Sequence, residues 1–290
     1  MSYNVLVTGA DGQVGSEIKE LSSNYEYKFF FTNRKILDIT NNKDLKEFIN
    51  INKIKVIINS AAYTSVDEAE DNEIDANKVN HLAVRNLAQI AKDKGISLIH
   101  ISTDYVFDGE NFKPYNEDDK VNPTSAYGRT KLAGENAMVA INPPNSIIIR
   151  TSWVYSFFGN NFVKKMITLG KERKELNVVF DQIGTPTSAR DLAETILIIL
   201  PKIKNNKVNI YNYSNEGVLS WYDFSKEIIK MANINCQVNP IESKCFPTKA
   251  KRPHYSVLNK SKIKREFNVI IPYWKNSLNN FFEKRKNGIK

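Results

Sequence analysis

Tyr127-Gly-Arg-Thr-Lys131 places a phenol and an ammonium four residues apart, and on a helix that spacing puts both on one face. A free phenol has a pKa of about 10, so at neutral pH it gives up its proton slowly unless a nearby cation stabilises the phenolate. Lys131 can supply that charge and also reach the ribose of a bound nicotinamide. Ser102-Thr103-Asp104 ends an apolar run upstream, and the Thr103 hydroxyl on that strand end can hydrogen-bond a carbonyl oxygen on its way to becoming an alkoxide. Tyr127, Lys131 and Thr103 together suit reduction of a carbonyl with proton delivery. Tyr-x-x-x-Lys alone occurs by chance in many helices, so its weight depends on what surrounds it.

The companion feature is Gly9-Ala-Asp-Gly12-Gln-Val-Gly15, between the first apolar run and the first helical pattern. Glycines there permit a tight turn and let backbone N–H groups approach a pyrophosphate. Three glycines in a turn are a weak signal by themselves, and their position opening a strand-to-helix unit strengthens it. After the second strand, an acidic side chain would bind a free ribose 2′-hydroxyl and repel a 2′-phosphate. The chain instead reads Thr32-Asn33-Arg34-Lys35, which favours NADPH and leaves NADH open. Leu37-Asp38-Ile39 reads as a short edge strand whose carboxylate can accept from an adenine amine.

The elements that must position these groups alternate. Strand-like runs at 3–8, 27–32, 55–59, 97–102 and 146–151 are separated by helical patterns near 43–51, 76–94 and 124–141. Parallel strands need crossover connections, so this alternation predicts an α/β fold, a Rossmann-type doubly wound parallel sheet. Beyond residue 151 the pattern loosens into helices near 160–170, 189–200, 221–232 and 272–286, with strands near 177–180 and 208–213. A dinucleotide-binding domain is expected over 1–150. A smaller, mostly helical substrate region is expected over 151–290, packed across a cleft and returning strands to the sheet.

Composition sets the outer bounds. The 290 residues suffice for a large core, and 41% hydrophobic with 25% charged residues exclude a disordered or collagen-like chain. Lys and Arg number 41 against 32 Asp and Glu, a net +9. The excess gathers late, from Lys244 to Arg265 and at Lys284-Arg285-Lys286, and reads mainly as a solvated face. No helix-turn-helix, zinc-finger or RNP pattern accompanies it, so nucleic acid is not an expected partner. Cys236 and Cys245 are the only cysteines and form no C-x-x-C, which argues against a zinc site or disulfide framework. No apolar run approaches the ~18 residues of a membrane span, and no long apolar stretch opens the chain, so the cytoplasm is the expected compartment.

With these residues in view, the chain resembles the dTDP-4-dehydrorhamnose reductases, a family of extended short-chain dehydrogenases, over nearly its whole length. The resemblance is carried by Gly12-Gln-Val-Gly15, Asn59-Ser-Ala-Ala-Tyr-Thr64, Ser102-Thr-Asp-Tyr-Val-Phe107-Asp-Gly109, Tyr127-Gly-Arg-Thr-Lys131, Arg150-Thr-Ser-Trp-Val-Tyr155, Asn160-Asn-Phe-Val163, Gly184-Thr-Pro-Thr187 and Arg252-Pro-x-x-Ser256. It implies Tyr127 as proton donor, Lys131 as its partner and Thr103 as carbonyl ligand. It further implies Gly12, Gln13, Val14, Asp38, Ile39, Ala62, Tyr63 and Thr64 along the cofactor, Thr103, Asp104 and Trp153 on the sugar, and Arg252 on the diphosphate of a nucleotide-sugar substrate. Tyr63 stands where many relatives carry His.

Some members of that family are dimers bridged by magnesium held on acidic residues. Glu17 matches one such position, but Arg190-Asp191 departs from the acidic pattern, so no metal is expected and Glu17 reads as a first-turn helix acid favoured by the dipole. A homodimer stays open. Dehydratases of the same fold resemble Thr-Asp-Glu after the strand, whereas Tyr105 follows Asp104 here. Two alternatives remain: a reductase of another nucleotide-linked 4-keto-6-deoxy sugar, and an NADP-binding regulatory subunit of the kind that accompanies methionine adenosyltransferase. The intact Tyr127, Lys131 and Thr103 set counts against the second.

Overall fold

The computed structural model describes residues 3–286, so the outer ends of the two expected domains lie outside the described residues. The first half runs β1 (Asn4–Thr8), α1 (Gln13–Leu21), β2 (Lys28–Thr32), α2 (Asn42–Ile51), β3 (Val56–Asn59), α3 (Glu73–Asn77), α4 (Ala83–Lys94), β4 (Ser97–Thr103), α5 (Ala126–Ile141) and β5 (Ile147–Thr151). There follow β6 (Val154–Tyr155), α6 (Phe162–Glu172), β7 (Glu175–Val179), β8 (Ile183–Gly184), β9 (Thr187–Ser188), α7 (Ala189–Ile199) and β10 (Asn209–Tyr213). The chain closes with β11 (Leu219–Ser220), α8 (Trp221–Met231), β12 (Gln237–Ile241), α9 (Ser261–Phe267) and α10 (Trp274–Lys286).

Six parallel strands form the main sheet in the order β2-β1-β3-β4-β5-β10. Successive side chains on a strand face opposite ways, and here both ways are buried. Val5, Val7, Ile58, Ile99 and Ile149 pack with α1, α7 and α9, whereas Leu6, Ile57, Leu98 and Ile148 pack with α2, α4 and α5. A third core lies in the later half, where Val163, Phe224, Ile228 and Leu278 from α6, α8 and α10 pack around Leu176 and Val238 of the paired strands β7 and β12. β10 comes from this half and extends the sheet beside β5.

One local reading needs correction. Leu37-Asp38-Ile39 is not an edge strand. The Asn33 carboxamide accepts from the N–H groups of Lys35 and Ile36, both at 3.0 Å, and Asp38 accepts from the N–H of Thr40 at 2.9 Å. The Leu37 N–H donates to the Asn33 carbonyl at 2.9 Å, so the segment is bonded within consecutive turns and not to a neighbouring strand. The helix expected over 76–94 is present as a continuous run from α3 through α4, widened by an i→i+5 turn at Lys78–Leu82. Asn80 in that turn accepts from the N–H of Tyr63 at 2.9 Å and donates to its carbonyl at 3.1 Å, which pins the loop after β3.

β5 and α5 are tied by Arg150 and Glu135, whose side chains are 3% and 1% exposed and 2.7 Å apart. Arg150 also donates to the Glu117 carbonyl, so its charge is fully paired in the interior. Removing one partner leaves the other charge buried alone, which costs about 3–5 kcal/mol. Glu135→Ala is expected to lower the urea-unfolding free energy by about that much, and a loss below about 1 kcal/mol would contradict this reading.

Candidate active site

The strand order reverses between β1 and β3, the position where an open parallel sheet leaves a crevice at its C-terminal edge. A cavity of about 770 Å³ opens there. Gly9 turns the chain with φ of +67°, and a Cβ on it would sit 2.6 Å from the Ala61 nitrogen, so neither the conformation nor the space admits a side chain. Gly12 caps α1 without a side chain on the first-turn N–H groups, and that turn has no acidic residue. Those donors face the crevice as a ready site for a pyrophosphate.

Gly9, Gly12, Gln13, Val14, Arg34, Asp38, Ile39, Ala62, Tyr63 and Thr64 all line the cavity. Gly15 does not. A Cβ there would lie 2.4 Å from the Gly9 carbonyl oxygen, so its role is to let α1 pack on the turn. Arg34 has 87% of its side chain exposed and pairs with the Asp38 carboxylate at 3.5 Å, a solvent-exposed guanidinium arm at the end where a ribose phosphate would emerge.

The opposite end is built by β4 and the first turn of α5. Ser125 caps α5 by accepting from the N–H of Gly128 at 3.1 Å, and Glu70 accepts from the N–H of Ala126 at 2.8 Å. Gly128 sits so close to the Tyr105 carbonyl that a Cβ would approach it to 2.3 Å. This contact sets Tyr127 in the cavity wall together with Thr103. Burial pushes the Tyr127 phenol well above its ordinary value, so it holds its proton at neutral pH. Lys131, one turn along and 1% exposed, donates to the Ile101 carbonyl at 2.6 Å. Burial lowers its pKa to about 8, with Glu135 opposing, so it remains mostly charged at neutrality.

Thr103 donates to Asp104 Oδ1 at 2.9 Å, while Asp104 Oδ2 is buried without a partner. Burial raises the Asp104 carboxyl to about 6 despite the Thr103 and Ser256 hydroxyls. Trp153 also lines the cavity, held at φ of +49° by a stack on Trp221 with ring centroids 3.6 Å apart. Gly184 leaves room for this indole, since a Cβ there would come 2.6 Å from its Cζ2.

Arg252 is not among the residues that line the cavity, and its guanidinium is engaged by protein groups. It donates to Asp67 at 2.7 Å and to the Tyr105 hydroxyl at 3.1 Å, clamping the loops after β3 and β4 to the C-terminal half. Glu17 is likewise not a first-turn acid. It is the fifth residue of α1, 2% exposed, accepts from Ser156 at 2.6 Å and faces Arg190 at 3.6 Å. A cation already faces its carboxylate, and among the described residues no three His, Cys, Asp or Glu side chains converge as a metal site. The stack of Trp221 on Trp153 is not legible in the sequence: Ser220-x-x-Asp223 marks the start of the expected helix, but nothing local announces what its first residue packs on.

The family model described as RmlD substrate binding domain matches residues 3–287. The dTDP-4-dehydrorhamnose reductase of Aggregatibacter actinomycetemcomitans is 41% identical over 287 residues, covering 95% of this chain and 97% of that protein. A dTDP-4-dehydrorhamnose reductase from Clostridium acetobutylicum ATCC 824 superposes with a TM-score of 0.93 at 43% identity, covering 98% of this chain and 99% of its own. The dTDP-4-dehydrorhamnose reductase of Bacillus anthracis str. Ames, solved in complex with NADP, gives a TM-score of 0.91 at 38% identity, with 98% and 100% covered. No helix among the described residues is long and apolar enough to cross a membrane.

Proposed function

The chain belongs to the RmlD substrate-binding-domain family of dTDP-4-dehydrorhamnose reductases, and from that premise we propose that it reduces the C4 keto group of dTDP-4-dehydro-β-L-rhamnose to give dTDP-β-L-rhamnose, using NADPH. The observation that carries this reading is the convergence of Tyr127, Thr103 and Lys131 at one end of a cavity whose other end is the Gly9–Gly12 turn. The turn, the free first-turn N–H groups of α1 and the Arg34 arm fit a phosphorylated dinucleotide. When bound, that cofactor supplies the hydride.

This chain's own residues do the rest. Thr103 turns its hydroxyl from Asp104 to the substrate carbonyl oxygen. Tyr127 delivers its proton to that oxygen as negative charge develops, and the Lys131 ammonium stabilises the phenolate left behind. Asp104 Oδ2, buried without a partner, accepts from a sugar hydroxyl, which relieves the cost of its burial. Trp153 offers a flat apolar face to the sugar end. Arg252 holds the Tyr105 side of the pocket in place. Tyr105 occupies the position where a dehydratase would need an acid, and its phenol, buried and bonded to Arg252, is pushed up to about 12. We assign residues up to about 150 mainly to the cofactor and the later ones mainly to the sugar nucleotide.

The test is NADPH oxidation with dTDP-4-dehydrorhamnose, made in a coupled reaction, against the UDP analogue and a no-sugar control. Turnover favouring the dTDP sugar supports the assignment, and turnover with UDP alone keeps the chemistry and moves the substrate. For the cofactor, Arg34→Ala is expected to weaken NADPH about three- to tenfold while leaving NADH nearly unchanged, as for one exposed charge-assisted contact. Equal losses for both would remove the phosphate role of Arg34.

A further inference from the structure

His100 is buried at 0% exposure beside the site, and none of the steps above uses it. It is one of three residues in a single row across the sheet, since Thr8 pairs with Asn59 and Asn59 pairs with His100 in the register of β1, β3 and β4. Leu6, Ile57 and Leu98, two residues earlier on the same strands, fill the same face with apolar side chains. The row of Thr8, Asn59 and His100 is polar, and each member is at most 1% exposed. Buried polar groups are costly unless paired, and these pair with one another: Thr8 Oγ1 lies 2.7 Å from Asn59 Oδ1, and Asn59 Nδ2 lies 3.0 Å from His100 Nδ1. The far ring nitrogen, Nε2, lies 3.4 Å from Lys131 Nζ.

The chain of contacts can run in two senses, and only one of them presents an acceptor to Lys131. A neutral imidazole carries one N–H, and an ammonium can only donate. If Asn59 donates to Nδ1, the ring proton sits on Nε2 and points at the Lys131 ammonium, donor against donor. Half a turn of the Asn59 amide keeps both contacts and reverses their sense. Its oxygen then accepts from Nδ1–H, its nitrogen donates to Thr8, and Nε2 presents a lone pair to Lys131. Other charges near this pair come from α5, β4 and β5: Glu135 favours the Lys131 charge, Arg150 is neutralised against Glu135, and Asp104 lies on the Tyr127 side. Burial and the neighbouring Lys131 both hold the imidazole neutral, in keeping with this arrangement.

Resting on the reductase reading of the site, we propose that His100 is a positioning residue: held as the Nδ1–H tautomer by Asn59, it accepts a hydrogen bond from Lys131 and so keeps that ammonium charged and fixed on the face of α5 that carries Tyr127. The Ile101 carbonyl is a second acceptor at 2.6 Å, so Lys131 is held from two sides. A hydrogen bond to the charged form favours it, so losing the imidazole must make Lys131 easier to deprotonate.

Two measurements decide this, and neither requires turnover. In the wild-type protein, ¹⁵N NMR of labelled histidine, with only three histidines to assign, reads the tautomer directly. The Nδ1–H form between about pH 6 and about pH 8 is expected, and the Nε2–H form in that range overturns the proposal. Lys131 is then titrated by NMR of labelled lysine in the wild type, His100→Phe and His100→Gln. His100→Phe should lower its midpoint by about one unit, while His100→Gln, which keeps an acceptor at similar reach, should stay within about 0.3 unit. An unmoved midpoint in His100→Phe also overturns it. If His100→Phe does not fold, the tautomer decides alone. A wild-type protein that fails to oxidise NADPH with any keto sugar would sink the reductase reading and leave these results to stand or fall separately.

Discussion

Tyr127→Phe is expected to bind NADPH within about twofold of the wild type and to lose about 10²–10⁴-fold in kcat, the range for removing a positioned general acid. The substitution removes one hydroxyl and keeps the ring, which packs edge-on against Tyr105 with centroids 5.6 Å apart. The pocket should therefore keep its shape. The phenol is half-buried, shares the cavity wall with Thr103 and keeps its proton at neutral pH, so it is the group with a proton to give where the carbonyl must sit. Binding is read by quenching of protein fluorescence and turnover by NADPH oxidation. A variant that retains more than about a tenth of wild-type kcat would remove Tyr127 as the donor.

Lys131→Ala is expected to cost about as much in turnover and several-fold in NADPH affinity besides, because the ammonium both stabilises the phenolate and reaches the cofactor ribose. The pH dependence gives this prediction its sign. Burial lowers the free-enzyme pKa of Lys131 to about 8, and the ammonium is the working form. Wild-type kcat/KM, which reports groups in the free enzyme, should hold below about pH 8 and fall as pH rises through it. In Lys131→Ala the residual activity should lack that limb. A wild-type profile flat to about pH 10, or a variant that keeps the limb, would assign the titration to another group.

Much of this was legible before any coordinates. The alternating apolar runs required a parallel sheet, and the Gly9–Gly15 turn placed its ligand edge, because both follow from local spacing. Tyr127, Lys131 and Thr103 could be named because a helix and a strand end carry their geometry with them. What stayed hidden depends on partners distant in sequence. The clamp made by Arg252 is one example, since Asp67 and Tyr105, which hold it, lie 185 and 147 residues away. His100 looked like one residue of an apolar strand, since only strand register sets it between Asn59 and Lys131. α9 holds only two buried apolar residues in seven, and Pro240 in β12 argued against a strand that in fact runs beside β7.

The central claim is hydride transfer to C4 of a dTDP-linked keto sugar, and isotopic transfer tests it most directly. NADPH carrying deuterium at both C4 positions of the nicotinamide would be consumed with dTDP-4-dehydrorhamnose and the product examined by NMR. One deuterium at sugar C4, with one NADPH consumed for each dTDP-rhamnose formed, is the expected result. NADPH consumed without label at C4, or label at another carbon, would contradict it.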